Sequence, residues 1–524
     1  MAVSSLDSGT VKDEEDQQQT EAAFQRGAGV LNCSIQHAGH NLRSVRVSGL
    51  YTNSLVKSPS AMRLFIFLLI LFSGHVGTAQ NRVTISLSNP NQIKVEAELS
   101  TPSRSWSFRN AYAGVLGVAE RIEEVRVADA DVKKAAVGEY RSERESNRIS
   151  YTVKLPKPTL ADVSHVTWVA EDRGVLMLAD LLPLEVHSLS ATFVLPEGWT
   201  VESSSPRGAN GRYDVAEPEK AVFCIGKALR KSSTTVQGMP LDIVFSGNWP
   251  FKERDALDRA TKVMERYLAL TGFRLRDKSV IVIAPLPITE PISDPKTSWK
   301  AETRGSTVVL LINADAGFKF WKSQLTVIFT HEVLHLWVPN SLKLEGDYDW
   351  FFEGFTLYTA LRTALDLGVI DFKEYLATLG RVYDQYRAHP DTLSLIEESE
   401  RRWASSGSLV YLKGMLVAFL YDLMIRKESG GRRTLADSYR DLFSGRLTDG
   451  ADGNEAIISV LGSTPVSRSF IKTYVENSTE VDLNKVLPAY GMSVLFTGKG
   501  SQLRVEGDLN QDLKQLLRSL GYQD

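Results

Sequence analysis

The chain has 524 residues, a length that suggests roughly three domains. Of these residues 43% are hydrophobic and 23% charged, which is ordinary for a globular protein. Its net charge of -3 argues against a nucleic-acid binder, which needs an excess of lysine and arginine to neutralise phosphates. The two cysteines, Cys33 and Cys224, are too few for a thiolate metal cluster, so any metal site must use histidine and carboxylate ligands.

The first 79 residues predict two segments. Residues 1–61 are polar without an apolar period, and we expect a disordered extension or an over-long gene start. Residues 62–79 begin with a methionine and an arginine, continue with the apolar run 64–72 and end in small residues, which is typical of a secretory signal peptide. We therefore expect translation from Met62, cleavage after Ala79 and export to the periplasm or the extracellular space. The alternative is that 64–72 is a buried helix or strand; the run is too short to span a bilayer.

Residues 80–250 predict an all-β domain. Short runs alternate between apolar and polar residues and are separated by proline, glycine, asparagine and serine. Two histidines of this region, His165 and His187, are isolated from other metal-binding residue types. We expect them to be packed or surface side chains and the domain to act as a scaffold.

The period changes near residue 251, where we place the start of a catalytic domain that extends to 430. The sequence predicts an amphipathic helix over 253–270 with Gly272 as its stop signal, followed by two strands and then mostly helices. Residues 431–524 predict a helical C-terminal region with one small strand. The three strands are expected at Val280–Ala284, Thr307–Ile312 and Ser493–Phe496.

The motif His331-Glu332-x-x-His335 carries the chemistry. Its apolar flanks predict a buried helix, on which four residues correspond to about 400° of rotation and about 6 Å of rise. Both imidazoles can therefore reach one metal ion, and Glu332 lies beside that site, where it can act as a general base toward water. The alternative is a buried helix with two hydrogen-bonded histidines. Zinc is the metal expected from the ligand types, although cobalt or manganese would fit the same donors.

A hydrolytic zinc site needs a third protein ligand. Glu353 lies inside the aromatic run 350–358, where a buried carboxylate is costly unless it is paired or bound to metal. The interval from His335 allows a loop and a return on a second, antiparallel helix. We expect Glu353 to be the third ligand; the alternative is a partly exposed helix residue. Three acidic residues of the intervening loop are expected to be solvated, namely Glu345, Asp347 and Asp349.

These residues resemble the gluzincin metallopeptidases, whose catalytic domains are thermolysin-like, and in particular the glycyl aminopeptidase family. The histidine motif followed by Trp350-x-x-Glu353-Gly354 is similar to the paired zinc motifs of that group. The resemblance implies a zinc-dependent peptidase, with an all-β N-terminal domain, a mostly α-helical catalytic domain and a small helical C-terminal region. This is an α+β multidomain fold. Family members often continue into a PDZ domain, which we expect to be missing here.

Two further residues gain a role from the resemblance. Tyr411-x-Lys413-Gly414 opens an apolar helix that ends before Gly430, and it is similar to the segment of the related alanyl aminopeptidases that carries an oxyanion-stabilising tyrosine. Glu302 stands where these families place a glutamate that binds the substrate α-amine, although the neighbouring glycines do not match. We expect Tyr411 to stabilise the oxyanion and Glu302 to bind the amine; the alternative for Glu302 is a surface charge.

The expected partner is a peptide substrate, cleaved at its N-terminal bond if Glu302 holds the amine. Three other readings stay open: a metal hydrolase of a non-peptide bond such as an epoxide, an endopeptidase, and a catalytically silent relative whose β-domain binds a partner. The ligands, base and tyrosine together argue against the silent relative, because a binding module does not need them.

Overall fold

The computed structural model describes residues 80–523, apart from 129, 289–298, 314–326, 390–392, 404–407, 446 and 499. The extension expected at 1–61 and the signal peptide expected at 62–79 lie outside the described residues.

The N-terminal part is built from two β-sheets. Its strands are Arg82–Asn89 (β1), Gln92–Ser107 (β2), Ala111–Tyr112 (β3), Val115–Leu116 (β4), Ile122–Val127 (β5), Val132–Ala136 (β6), Glu139–Lys154 (β7), Trp168–Val169 (β8), Arg173–Met177 (β9), Leu189–Val194 (β10), Thr200–Ser203 (β11), Tyr213–Val215 (β12) and Val222–Gly226 (β13). One sheet has the order β12-β10-β1-β2-β7-β5, with β6 also paired to β7, and the other has the order β11-β13-β9-β8. A short hairpin joins β3 to β4.

The predicted alternation sets which side of each strand is buried. In β1, Val83, Ile85 and Leu87 are buried, whereas the polar residues between them are only partly covered. Side chains from both sheets form one apolar core, in which Ile93 of the first sheet and Phe223 of the second take part. The all-β character expected for this region is confirmed.

A third sheet of five strands follows, and its strands lie on both sides of the boundary expected at 250. Its strands are Arg230–Val236 (β14), Met239–Phe245 (β15), Ser279–Pro285 (β16), Trp299–Arg304 (β17) and Thr307–Ile312 (β18). The order is β14-β15-β16-β18-β17, with β15, β16 and β18 parallel to one another. Thus β14 and β15 precede residue 250 yet pair with strands that follow it. The change of period at 251 marks a change from strand to helix, which is not the same as a change of domain.

The three sheets are stacked, and the helices cover the last one. Cys224 and Val222 of the four-stranded sheet pack against Val282 and Leu311 of the five-stranded sheet. The other face of the five-stranded sheet packs against helices, in a core that includes Ile281 and Leu310. Strands β16 and β18 are therefore buried on both faces, which explains their continuous apolar runs.

The helical segments after residue 250 are mostly α-helices. They are Glu253–Thr271 (α1), residues 327–334 (α2), Thr356–Asp366 (α3), Phe372–Arg387 (α4), Leu395–Glu400 (α5), Ser408–Glu428 (α6), Leu435–Leu442 (α7), Gly453–Leu461 (α8), Pro465–Ile471 (α9), Leu483–Val486 (α10) and Gln511–Ser519 (α11). Helix α1 ends at Gly272, whose φ of 68° is the left-handed conformation expected of a glycine stop signal. Two π-helical segments, Trp350–Phe355 and Lys472–Glu476, continue the helices beside them.

The C-terminal region adds a hairpin to these helices. Strand Met492–Thr497 (β19) was expected from the sequence, and it pairs with Gly500–Val505 (β20). Helix α6 is the one helix of the described residues that is long and apolar enough to cross a membrane. Because 89% of its most apolar stretch is buried inside the fold, its composition is that of a core helix.

Candidate metal centre

The first part of the site is the end of helix α2 and the turn after it. Contacts from α1, and from the loop that follows α1, hold this part in place. The Tyr267 hydroxyl donates a hydrogen bond to the Thr330 carbonyl at 2.6 Å, and the Trp337 indole donates to the Phe273 carbonyl at 2.8 Å. His331 lies in the last turn of α2, and His335 follows directly in a turn. The expected shared face is observed: the two Nε2 atoms are 3.0 Å apart.

The second part is the π-helical segment that contains Glu353, packed tightly against helix α6. A Cβ atom on Gly354 would lie 2.5 Å from the Cα of Gly414, and one on Gly414 would lie 2.8 Å from the Trp350 carbonyl oxygen. Both glycines are therefore required by the close approach of the two backbones. This contact explains why each sequence motif ends in glycine, and it brings Glu353 and Tyr411 into one site.

Three donor atoms converge between these elements. Glu353 Oε2 lies 3.3 Å from His331 Nε2 and 3.6 Å from His335 Nε2. A tetrahedral zinc ion held at about 2.0–2.1 Å by each donor places its donors about 3.3–3.4 Å apart. Within the described residues, Glu353 Oε2 has no hydrogen-bond donor although it is buried. A buried acceptor without a donor is costly, and a cation at this point would satisfy it, so the residues fit a zinc ion.

The imidazoles are oriented by their other nitrogens. Nδ1 of His335 lies 2.8 Å from the Val338 carbonyl oxygen, which can only accept a hydrogen bond. The proton is therefore on Nδ1, and the lone pair of Nε2 points to the site. Nδ1 of His331 faces the Thr356 hydroxyl at 3.5 Å. Burial lowers the pKa of His335, but the Glu353 carboxylate outweighs burial and holds this pKa above its ordinary value.

The other carboxylate oxygen of Glu353 is bound by an arginine. A terminal nitrogen of Arg402 donates to Glu353 Oε1 at 3.0 Å. Burial raises the pKa of Glu353, but the Arg402 guanidinium and the two histidines lower it well below its usual range. Glu353 is therefore an anion at neutral pH, as a metal ligand must be.

The expected base, Glu332, is fixed by the edge strand β17. Its side chain is fully buried, and Oε2 accepts a hydrogen bond of 2.7 Å from the Thr303 hydroxyl. The same hydroxyl lies 3.0 Å from the Glu332 backbone carbonyl. The edge strand thus holds the carboxylate next to the histidines, beside the donors and not among them.

The expected oxyanion residue, Tyr411, lies in the first turn of α6. Its phenol oxygen accepts a hydrogen bond from Arg402, the same arginine that binds Glu353. Arg402 also donates to Asp349, which is 6% exposed. The expectation of a solvated side chain is therefore wrong for Asp349, whereas Glu345 and Asp347 are exposed as expected.

Glu302, on β17, is buried against the β3–β4 hairpin and the segment that precedes β8, so the alternative of a surface charge is wrong. Its Oε1 accepts from Arg304 Nε at 2.6 Å and from the Tyr112 hydroxyl at 3.0 Å, and Oε2 lies 2.5 Å from His165 Nδ1. Burial raises the pKa of Glu302, but Arg304 and His165 lower it below its ordinary value. The role of Glu302 in binding an amine stays a prediction. His165 is packed, as expected, but on this carboxylate.

Sequence reasoning missed three residues of the site: Arg402, Asp349 and Thr303. Arg402 belongs to a run of charged residues that is typical of a solvated surface. Asp349 directly precedes the aromatic run, and this position was the one signal that it could be buried. Thr303 follows Glu302, and strand geometry points it to the opposite face, but nothing in the sequence shows that this face meets Glu332.

The comparisons with known proteins identify the fold. No protein-family model matches the chain, and no curated protein matches it. Among solved structures, an aminopeptidase N family protein from Idiomarina loihiensis is 18% identical, with a TM-score of 0.69, over 80% of this chain and 79% of that protein. An M1 zinc metallopeptidase mutant from Deinococcus radiodurans, bound to a Tyr-Ser-Ala substrate, is 13% identical, with a TM-score of 0.52, over 77% of this chain and 94% of that protein. The chain therefore has the α+β fold of these metallopeptidases, as expected.

Proposed function

We propose that this chain is a zinc-dependent peptidase that acts as an aminopeptidase. The observation that carries the proposal is the convergence of His331 Nε2, His335 Nε2 and Glu353 Oε2 at 3.0 to 3.6 Å. Among the described residues, this Glu353 oxygen has no hydrogen-bond donor. The similar structures are an aminopeptidase N family protein and an M1 zinc metallopeptidase, and the second is bound to a tripeptide. The sequence motifs add the finer proposal of membership in the glycyl aminopeptidase family.

The residues divide the reaction among them. His331, His335 and Glu353 would hold zinc, which when bound polarises a substrate carbonyl and makes water more acidic. Glu332 takes a proton from the attacking water and gives it to the leaving amine. The Tyr411 hydroxyl donates a hydrogen bond to the carbonyl oxygen as that oxygen becomes negative. Thr303 keeps the Glu332 carboxylate in place during both proton transfers.

One observation favours a second candidate, an endopeptidase. The carboxylate of Glu302 already has three partners, and the positive charge of Arg304 balances its negative charge. An α-ammonium group would have to join a carboxylate that is already neutralised. Cleavage within a peptide does not need this contact.

The test uses matched peptides with free and with acetylated N-termini. The protein is assayed as prepared, after treatment with a chelator, and after addition of zinc. We expect cleavage of the free peptide that is lost with the chelator and restored by zinc, with much slower cleavage of the acetylated peptide.

Each other outcome selects a different function. Equal cleavage of both peptides would keep the zinc peptidase and replace the aminopeptidase by the endopeptidase. Bound zinc without cleavage of either peptide would contradict the proposal and leave a non-peptide hydrolase or a silent relative. Cleavage that a chelator does not affect would contradict the metal centre itself.

A further inference from the structure

Arg402 joins three side chains of the candidate site. One terminal nitrogen contacts both Glu353 Oε1, at 3.0 Å, and the Tyr411 hydroxyl, and the other contacts Asp349 Oδ1. The Arg402 side chain is 3% exposed. A guanidinium is planar and rigid, so its contacts on one edge fix the positions of their partners relative to one another.

The contact with Arg402 gives the two carboxylate oxygens of Glu353 different roles. Oε1 is bound to Arg402, whereas Oε2 faces His331 and His335. The carboxylate therefore presents a single oxygen to the metal position and cannot rotate without losing its bond to Arg402. Partners that orient a metal ligand in this way commonly contribute about 10–100-fold to metal affinity or activity.

The contact with Tyr411 has a direction set by chemistry. A guanidinium has N–H donors and no acceptor, so the phenol oxygen is the acceptor in this hydrogen bond. The phenol proton is not used in this contact. A phenol oxygen that accepts from a cation is also a stronger donor through its own proton.

Asp349 holds the far side of the arginine. It lies four residues before Glu353, at the start of the π-helical segment, and it is buried. The chain therefore surrounds Arg402 with two carboxylates and a phenol that come from two different elements. This arrangement goes beyond neutralising Glu353, for which one contact would suffice.

We propose that Arg402 is a positioning residue that fixes the metal ligand Glu353 and the oxyanion donor Tyr411 in place relative to each other. The inference rests on the proposed function for its catalytic half, since Tyr411 acts only in a reaction. Its other half concerns metal binding alone and can be measured without a substrate.

The main variant is Arg402→Lys, which keeps the charge and replaces the planar fork by a single ammonium group. Zinc affinity is measured by competition with a chromophoric chelator, and kcat and KM are measured at saturating zinc. We expect zinc to bind about 10–100-fold more weakly and kcat to fall by a similar factor, with KM within about 3-fold. Arg402→Lys with wild-type zinc affinity and wild-type kcat would overturn the proposal.

Arg426→Lys is the matched control. Arg426 lies within helix α6 and is buried, as Arg402 is. It pairs with the buried Asp422 at 3.0 Å, and it lies about 15 residues, or four helical turns, from Tyr411. We expect this variant to change thermal stability but neither zinc affinity nor kcat. Equal losses in the two variants would mean that a general loss of packing causes the effect, and not a change in the relative positions of Glu353 and Tyr411.

A double-mutant cycle tests the link to Tyr411. Tyr411→Phe and Arg402→Lys are measured singly and together at saturating zinc. If Arg402 acts through Tyr411, the combined loss of kcat is smaller than the product of the two single losses. Losses that multiply would contradict this link.

Asp349→Asn serves if Arg402→Lys does not fold. It removes the charge behind Arg402 and should weaken zinc binding in the same direction but by less; unchanged zinc affinity there would count against the proposal. If wild-type protein binds zinc but cleaves no peptide, the proposed function fails, while the zinc measurements still decide whether Arg402 positions Glu353.

Discussion

Two buried glutamates of this chain, Glu353 and Glu302, have similar neighbours but differ in whether both carboxylate oxygens have a hydrogen-bond partner. Each lies against histidine and arginine, each is at most 1% exposed, and each has a pKa held below its ordinary value. Both oxygens of Glu302 have partners at 2.5 to 3.0 Å. At Glu353, one oxygen is bound to Arg402 and the other has no hydrogen-bond donor among the described residues.

The difference lies in which atoms face the carboxylate. His165 presents Nδ1 to Glu302 within hydrogen-bond distance, so that nitrogen can donate. His335 uses its Nδ1 on the Val338 carbonyl and presents the lone pair of Nε2 to Glu353. A metal cation between these two buried groups would satisfy both acceptors at once. Glu302 therefore belongs to a closed ion pair, and Glu353 belongs to the candidate metal centre.

The largest expected effect comes from the same substitution at both glutamates. Glu353→Gln should abolish tight zinc binding and peptidase activity, because it removes the anionic ligand. Glu302→Gln should leave zinc affinity within about 3-fold of wild type, because its carboxylate has no part in the donor set. Zinc content after dialysis and chelator competition measure both. Equal zinc loss in the two variants would erase the distinction between the two sites.

The next effect separates binding metal from using it. Glu332→Gln should keep zinc and lower kcat by about 10²–10⁴-fold, because an amide cannot take the proton from the attacking water. The Thr303 hydroxyl can still donate to the amide oxygen, so the local structure should be retained. Single-turnover rates and zinc content are measured on the same preparation. A Glu332→Gln protein as active as wild type would remove the proposed mechanism.

The smallest effect on the metal centre is expected from the closed ion pair. Arg304→Met removes the cation bound to Glu302 and the contact between its guanidinium and the Tyr112 ring, 3.9 Å from the ring centroid. Leaving a buried carboxylate without its cation should lower the free energy of unfolding by about 3–5 kcal/mol. Urea unfolding measures the loss.

The same variant also tests the separation of the two sites. Zinc affinity of folded Arg304→Met should equal that of wild type, because Arg304 lies on Glu302 and the His165 carbonyl, and among the described residues it has no hydrogen bond or ion pair with His331, His335 or Glu353. A weaker zinc site in the folded variant would show that the two clusters are coupled.

The sequence by itself determined the local structure and the identities of the donor atoms. Period-two alternation marked the N-terminal strands, the glycine at 272 ended α1, and helical geometry placed His331 and His335 within reach of one ion. These features depend on residues close together in the chain, where backbone geometry alone fixes the distances. Glu353 could be anticipated because a carboxylate in an aromatic run needs a partner.

Only the tertiary structure decided which distant groups meet. It placed β14 and β15 in the five-stranded sheet that also contains β17, although they precede the change of period near residue 251. It also closed Glu302 with Arg304 and His165, and it brought Arg402 from a charged segment to Glu353 and Tyr411. Such contacts arise from the packing of elements far apart in sequence, so burial and partners, not residue type, give each charge its role.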